Sequence, residues 1–188
     1  MIGALPKKLE VGGTLYPINS DFRVALNLFS YLGDDTLTQT EKAYLTVRTI
    51  YAVEIPDEFF IEALQKAFWF LDGGDMPKSE PSPVPLIDWE HDESIIFPAV
   101  NKAAGREVRE LPYMHWWSFL GLMGEVGEGL YSTVISIRSK MARGKKLEKY
   151  EREFVSRNKE LVVLRTKEEQ AAIEETEYFL KTLIGEGR

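Results

Sequence analysis

Residues 111–123, LPYMHWWSFLGLM, constrain the fold more than any other stretch, because most of its positions are large and apolar. If Pro112 opens a helix here at its N1 position, a rotation of about 100° per residue spreads the apolar side chains around the helix. One face would carry Tyr113, Trp116, Trp117 and Leu120, and most of the remaining circumference Met114, Phe119, Leu122 and Met123. A helix that is apolar nearly all round is buried. We therefore expect the tryptophans at the centre of the core rather than in a ligand site.

A narrow stripe is the only polar or small part of this predicted helix, and it consists of His115, Ser118 and Gly121. Histidine changes charge near neutral pH and can donate and accept hydrogen bonds. We expect His115 to meet water or a polar neighbour, and it is the one position of the segment where a functional role stays open.

The residues before this segment predict one β-hairpin followed by three helices. KLEV and TLYPI flank Gly12–Gly13, and paired glycines supply the positive φ angles of a tight hairpin turn. The first helix is predicted to begin after Asn19 or Ser20 as its N-cap and to end just before Gly33. The second is predicted to begin with a capping box formed by Thr38 and Glu41. The third is predicted to begin at Pro56 and to end at Gly73–Gly74.

The rest of the chain predicts a proline-rich loop over 73–86 and further helices. We expect Asp88 to be the N-cap of a helix that Pro98 would kink, and a further helix to run from about Glu128 toward Met141. Two amphipathic helices are expected over about 147–165 and 167–184. Thr166 and Glu169 would form a second capping box at the start of the last helix. The fold class is mainly α, a helical bundle-like domain with a small N-terminal β-hairpin. We divide the chain into the hairpin (1–18), a helical core (19–146) and C-terminal amphipathic helices (147–188).

Composition excludes several classes of protein. The chain has no cysteine, which rules out disulfides, thiolate zinc sites and cysteine nucleophiles. No apolar run approaches the roughly 20 residues that a membrane-spanning helix needs. The first residues lack the apolar region and cleavage site of a secretory leader, so we expect an intracellular protein that is not embedded in a membrane.

Charge is distributed unevenly along the chain, whose formal net charge is −7. Residues 1–137 carry a net charge of −10, residues 138–159 carry +6, and the remainder carries −3. The candidate protein-binding residues of the basic segment are Arg138, Lys140, Arg143, Lys145 and Lys146. A basic helix can also follow phosphates, but Glu148, Glu151 and Glu153 interrupt this one. We therefore favour a solvated helix face, then a protein partner, over nucleic acid.

The best local case for an enzyme is the sequence DWEHDE at 88–93. Ligands that converge from one helix lie three or four residues apart, so Asp88 with His91 or Asp92 could meet a metal. An acidic helix N-terminus explains the same residues without a metal, and this interpretation is favoured. No phosphate-binding loop and no nucleophile motif is present. We expect no catalytic residue, no cofactor and no metal.

Four stretches, taken together and in order, resemble a known family. They are INSDFR (18–23), FLDGG (70–74), IDWEHD (87–92) and HWWSFL (115–120), and their family-signature and core positions are Asp21, Phe22, Arg23, Asp88, Trp89, His115, Trp116 and Trp117. The series is similar to the family known as bacteriophage gene product fifteen, of tailed phages and prophages, over about residues 5–158.

The resemblance implies a non-enzymatic helper of phage tail morphogenesis that acts in the bacterial host cytoplasm. Its expected role is that of a tail-assembly chaperone that binds the tape-measure protein, with the major tail protein as a possible second partner and homo-oligomers as a further option. The alternatives are a structural virion or connector component and, with less support, a metal-dependent hydrolase or a nucleic-acid-binding protein. The family offers no catalytic residues to carry over.

Overall fold

The computed structural model of the protein describes residues 3–74 and 84–164. In this part of the chain the elements are β1 (Lys8–Val11), β2 (Thr14–Pro17), α1 (Phe22–Gly33), α2 (Gln39–Ile50), α3 (Phe60–Leu71), α4 (Glu93–Ala104), α5 (Trp116–Gly124), α6 (Leu130–Ala142), α7 (Lys149–Arg157) and α8 (Lys159–Val162), with short 3₁₀ turns at Asp57–Phe59 and Val108–Glu110. The predicted fold class is confirmed. Residues 75–83 of the predicted proline-rich loop, and the predicted helix over 167–184 with Thr166 and Glu169, lie outside the described residues.

The N-terminal hairpin forms where the sequence predicts it. β1 and β2 pair antiparallel, with Leu9 opposite Tyr16 and Val11 opposite Thr14. Gly12 and Gly13 have φ angles of 54° and 74°, so both central positions of the turn need positive φ. A Cβ atom on Gly12 would also lie 2.6 Å from the ring of Phe59. The turn therefore depends on glycine for its backbone and for its packing.

Helix α2 begins with the predicted capping box. The Glu41 N–H donates to Thr38 Oγ1 over 3.2 Å, and the Thr38 N–H donates to Glu41 Oε2 over 2.8 Å. Helix α3 follows a 3₁₀ turn and ends before Gly73 and Gly74, whose φ angles are 80° and 84°. The Gly74 N–H returns to the Trp69 carbonyl at 2.8 Å, and the bond satisfies one of the last carbonyls of α3.

Three helices begin later in the chain than the sequence predicts. Asp21, not Asn19 or Ser20, is the N-cap of α1. Helix α5 begins at Trp116 with His115 as its N-cap, so Pro112 and Tyr113 precede it and Tyr113 is exposed. Helix α4 begins at Glu93 rather than after Asp88, because the carboxylate of Asp88 holds the preceding turn by accepting the N–H groups of Glu90 and His91.

The later helices match the predicted ranges only in part. Helix α4 continues through Pro98 to Ala104. Helix α6 begins at Leu130, two residues after the predicted start. The single helix predicted over 147–165 is wrong: Asn158, with φ of −130°, separates α7 from α8, and its side-chain amide donates to the Phe154 carbonyl. This local hydrogen bond competes with continued helix at Asn158.

The described residues form two compact units, one on each side of the boundary between Thr133 and Val134. The three-part division drawn from the sequence stays a prediction. In the first unit, Phe22 stacks on Phe119 with ring centroids 4.7 Å apart, and Phe97 meets both rings edge-on. Trp116 is 1% exposed and stacks against Phe119. Of the two tryptophans that the sequence placed at the centre of the core, Trp116 is buried there beside Phe119, whereas Trp117 is only half-buried.

Candidate functional site

An open groove of about 360 Å³ lies between α2, the loop that follows it and the start of α3. We call this the α2–α3 groove; it is lined by Tyr44, Val47, Arg48, Tyr51, Ala52, Val53, Glu54, Ile55, Asp57 and Phe60. Tyr44 is 56% exposed and Val53 is 49% exposed, although both are apolar or aromatic. The groove therefore offers an aromatic and aliphatic surface to solvent within the first unit.

The polar groups at the rim of the α2–α3 groove are paired with one another. Arg48 Nη1 lies 2.7 Å from Glu54 Oε1, and the guanidinium carbon of Arg48 lies 6.0 Å from the ring centroid of Tyr44. The Tyr44 ring in turn stacks on Phe60 with a centroid distance of 6.4 Å and an interplanar angle of 20°. The Tyr44 ring thus contacts the Phe60 ring and the Arg48 guanidinium, and both contacts restrict its position. The aromatic wall is therefore formed before any ligand arrives.

The floor of the groove belongs to the core. Val47 and Tyr51 are buried, and the Tyr51 hydroxyl donates to the Ala63 carbonyl over 3.0 Å. Burial raises the pKa of Tyr51 well above its usual value, with a smaller contribution from the carboxylate of Glu62. The hydroxyl therefore stays protonated and ties α2 to α3. Chemically, the groove can hold apolar side chains of a partner; it brings together no nucleophile with a general base.

The sequence does not single out this groove, because Tyr44 and Tyr51 lie at the helical spacing of apolar residues in the second helix. The signal that could have found it is the loop sequence AVEIP at 52–56, which puts Val53 and Ile55 in a connection where polar residues are usual. Apolar residues in a loop between two helices indicate either packing or a binding surface.

The four family-signature stretches meet in the first unit, at a junction of α1, α3 and α5. Asp21 Oδ1 accepts the Arg23 N–H over 3.0 Å, and Asp21 Oδ2 accepts the Met114 N–H over 3.1 Å. Arg23 forms an ion pair with Asp21 and donates to the carbonyls of Arg109 and Leu111. One carboxylate and one guanidinium therefore fix the start of α1 against the segment before α5.

The two tryptophans of α5 close the end of α3. Trp116 Nε1–H donates to the Leu71 carbonyl, and Trp117 Nε1–H donates to the Phe70 carbonyl, each over 2.8 Å. The last carbonyls of a helix have no partner within it, so these bonds replace water there. A Cβ atom on Gly74 would lie 2.9 Å from the Trp117 ring, which explains the glycine beside it.

Trp89 and His115 complete this arrangement, which we call the tryptophan joint: Asp21, Arg23, Trp89, His115, Trp116 and Trp117. The Trp89 ring lies 5.9 Å from Phe29 and 6.4 Å from Trp116, between ring centroids. His115 is 2% exposed, and its two polar neighbours lie within the chain. Phe22 lies beneath the joint and is 1% exposed. The signature residues therefore hold helices together.

The geometry of His115 determines its tautomer. Nδ1 accepts the Trp117 N–H over 3.0 Å, so the proton of the neutral ring sits on Nε2 and is donated to the Pro6 carbonyl over 2.9 Å. Burial lowers the pKa of His115 below its usual value of 6.5, and the charge of Lys7 lowers it further. A neutral imidazole that caps a helix and ties down the N-terminal segment has both nitrogens engaged.

The basic segment predicted to bind protein is divided between internal and external roles in the second unit. Arg138 is 5% exposed, and it donates to the carbonyls of Val162 and Leu161 at the end of α8. Lys140 Nζ lies 2.6 Å from Glu151 Oε1; their hydrogen bond raises the pKa of Lys140 and lowers that of Glu151. Arg143, Lys145 and Lys146 are exposed. Two of the five predicted residues thus stabilise the unit itself.

The acidic sequence 88–93 forms a turn rather than a converging ligand set. Asp88 Oδ1 accepts the His91 N–H over 2.9 Å, and Asp92 Oδ2 accepts the Asp88 N–H over 3.0 Å. Both ring nitrogens of His91 are buried, and no described residue forms a hydrogen bond with them. Within residues 3–74 and 84–164, no group of three or more histidine and carboxylate residues could hold a metal ion. The same described part contains no helix that is long and apolar enough to cross a membrane.

Comparison with known families places the chain beside one of them. The sequence profile of the family described as Bacteriophage Gp15 protein matches residues 1–164. The matched range contains every described residue, the tryptophan joint and the α2–α3 groove, and it ends before the predicted helix over 167–184. No curated protein and no solved structure matches the chain.

Proposed function

The chain belongs to the bacteriophage Gp15 protein family, and from this premise we propose that it is a non-enzymatic tail morphogenesis protein that binds a helical client through the α2–α3 groove. The client is the phage tape-measure protein, and the binding takes place in the host cytoplasm before the tail tube assembles. In this role the protein is a tail-assembly chaperone that shields apolar helices from aggregation. The resemblance of the four signature stretches supports the link to tails.

The observation that carries the proposal is that Tyr44 is exposed beside Phe60 at the wall of an open groove. Exposed apolar residues that are gathered in one groove often mark a protein-binding site, whereas single exposed apolar residues are common on any protein surface. An amphipathic helix places apolar side chains at intervals of three and four residues, and a groove between two helices receives such a row. The Arg48–Glu54 pair at the rim can contact polar residues on either side of that row.

The test is co-expression of the tape-measure protein with the wild-type chain and with Tyr44→Ser. The chain offers a matched control in Tyr31, which lies on α1 outside the groove and is 55% exposed, against 56% for Tyr44. We expect wild type and Tyr31→Ser to keep the client soluble and to retain it in a pull-down, and Tyr44→Ser to lose most of both effects. If the two variants retain the client equally, the groove is not its binding site. If the wild-type chain does not retain the client, the protein is not its chaperone.

A second measurement separates the chaperone from a structural virion or connector component. A chaperone leaves before the tail is complete, so mass spectrometry of purified particles should find tail proteins without this chain. Its presence in stoichiometric amounts in mature particles would favour the structural role instead.

A further inference from the structure

The outer edge of β1 has backbone groups without a hydrogen-bond partner in the described part of the chain. The Ile18 N–H donates to the Lys7 carbonyl over 3.0 Å, which places Lys7 in a hydrogen-bonded pair of the hairpin. Pairs alternate along antiparallel strands, so Leu9 and Val11 also turn their backbone groups toward β2. The N–H and C=O groups of Lys8 and Glu10 therefore point away from β2, and no described residue forms a hydrogen bond with them.

Several other outward groups of the hairpin are already satisfied. On β2, the Pro17 carbonyl accepts the Ala52 N–H over 3.0 Å, and Ile18 bridges Tyr51. Beside β1, His115 donates to the Pro6 carbonyl at one end, and Glu62 Oε2 accepts the Gly12 N–H over 3.1 Å at the other. The unpaired stretch of β1 is thus the short run from Lys8 to Glu10.

The side chains of this run favour one occupant. Leu9 is 4% exposed and Val11 is fully buried, while Lys8 and Glu10 are exposed on the opposite face. We propose that a second copy of this chain pairs antiparallel with β1, centred on Leu9, and extends the hairpin to a four-stranded sheet. In this register Lys8 of each copy lies directly opposite Glu10 of the other.

Charge distinguishes this register from its neighbours. A pairing centred on Lys8 would set two lysines opposite each other, and one centred on Glu10 would set two glutamates opposite each other. Like charges directly opposite on neighbouring strands destabilise a sheet, whereas opposite charges stabilise it. Only the pairing centred on Leu9 uses the outward N–H and C=O groups of Lys8 and Glu10 with opposite charges facing, and it has the two-fold symmetry of a closed dimer.

The expected dimer is weak. A lysine on an edge strand ordinarily discourages pairing with other chains. Here Glu10 lies two residues after Lys8, so a strand that places a glutamate opposite Lys8 can still pair. The paired run is short, so the contact falls toward the small end of protein interfaces, and dissociation constants on the order of micromolar or weaker are expected. Such a dimer forms at the high concentrations that sedimentation or magnetic resonance measurements use.

The test is sedimentation equilibrium of the full chain alone, wild type and charge variants. Lys8→Glu sets glutamates at positions 8 and 10 of one chain against the same pair in its copy, and Glu10→Lys does the same with lysines. Each should weaken self-association by roughly tenfold. An equimolar mixture of the two single variants, and the double variant Lys8→Glu/Glu10→Lys, should both recover it, because each restores opposite charges at both facing positions.

A wild type that stays monomeric over the whole concentration range overturns the proposal, as does a dimer that neither single variant weakens. Amide hydrogen exchange checks the register independently. The amide of Glu10 should exchange more slowly as protein concentration rises, while the amide of Leu15, which points outward from the other strand, should not change. Slowing at Leu15 and not at Glu10 would assign the contact to β2 and also overturn the proposal. No client protein is present, so failure here leaves the proposed function untouched.

Discussion

Two aromatic regions of the first unit differ in what their side chains contact. In the tryptophan joint, the indole N–H groups of Trp116 and Trp117 donate to carbonyls at the end of α3, both imidazole nitrogens of His115 bond to backbone groups, and Trp116 is 1% exposed. In the α2–α3 groove, Tyr44 is more than half exposed, and its ring stacks on Phe60 and faces Arg48. The comparison teaches that the densest aromatic sequence of this chain stabilises the fold, whereas a sparser set is available to a partner.

The largest effect is expected from truncating the joint. Trp116→Ala removes a buried indole and leaves the Leu71 carbonyl unpaired, so the free energy of unfolding should fall by about 3–5 kcal/mol. Chemical denaturation measures it, with Tyr31→Ser as the surface control. A loss under about 1 kcal/mol would mean that the Trp116 pocket is not part of the core.

A smaller effect is expected where the joint is polar. Asp21→Ala removes the N-cap of α1 and leaves the Met114 N–H without its acceptor. Loss of a cap and of one further hydrogen bond should lower the free energy of unfolding by about 1–3 kcal/mol. The same denaturation series measures the change. Asp21→Asn retains one side-chain acceptor oxygen and should fall between wild type and the alanine variant; an alanine variant as stable as wild type would contradict this account of the joint.

The joint should also weaken in acid. The folded pKa of His115 lies below 6.5, so the unfolded chain binds the proton first as the pH falls. Stability from this group is therefore complete above about pH 6.5 and declines as the pH drops toward the folded pKa. His115→Asn keeps an acceptor for the Trp117 N–H without titrating, and it should show a shallower decline of unfolding free energy below pH 6.5. Parallel curves for the two proteins would remove His115 as the cause.

The smallest effect on stability is expected in the groove. Tyr44→Ser loses one exposed stacking contact with Phe60, for which about 0.5–1 kcal/mol is expected. Thermal unfolding beside Tyr31→Ser measures this difference. A loss as large as that of Trp116→Ala would place Tyr44 in the core and erase the contrast between the two regions.

Local signals were sufficient for part of this structure. The hairpin with its Gly12–Gly13 turn and the Thr38–Glu41 capping box depend on residues close in sequence, and both form as predicted. The start of α5 did not form as predicted. His115 becomes its N-cap only when the Trp116 N–H donates to the Ser20 carbonyl and the Asp21 carboxylate accepts the Met114 N–H. These contacts join segments more than 90 residues apart, which no helical periodicity reports.

The candidate site was harder to predict for a related reason. The α2–α3 groove exists because Phe60 of one helix stacks on Tyr44 of another and the loop at 52–56 closes one side. In the sequence, Tyr44 reads as one more apolar residue at helical spacing. The basic segment, in contrast, is conspicuous in the sequence, yet Arg138 and Lys140 are used within the second unit.

The central claim is tested most directly by the dissociation constant for the tape-measure protein. It is measured with folded Tyr44→Ser and folded Trp116→Phe, under conditions where both variants remain native. Trp116→Phe retains an aromatic ring in the core and loses the hydrogen bond to the Leu71 carbonyl. The division of roles predicts that Tyr44→Ser binds the client at least several-fold more weakly than wild type, and that Trp116→Phe binds it as wild type does. Weaker binding by folded Trp116→Phe, with unchanged binding by Tyr44→Ser, would contradict it.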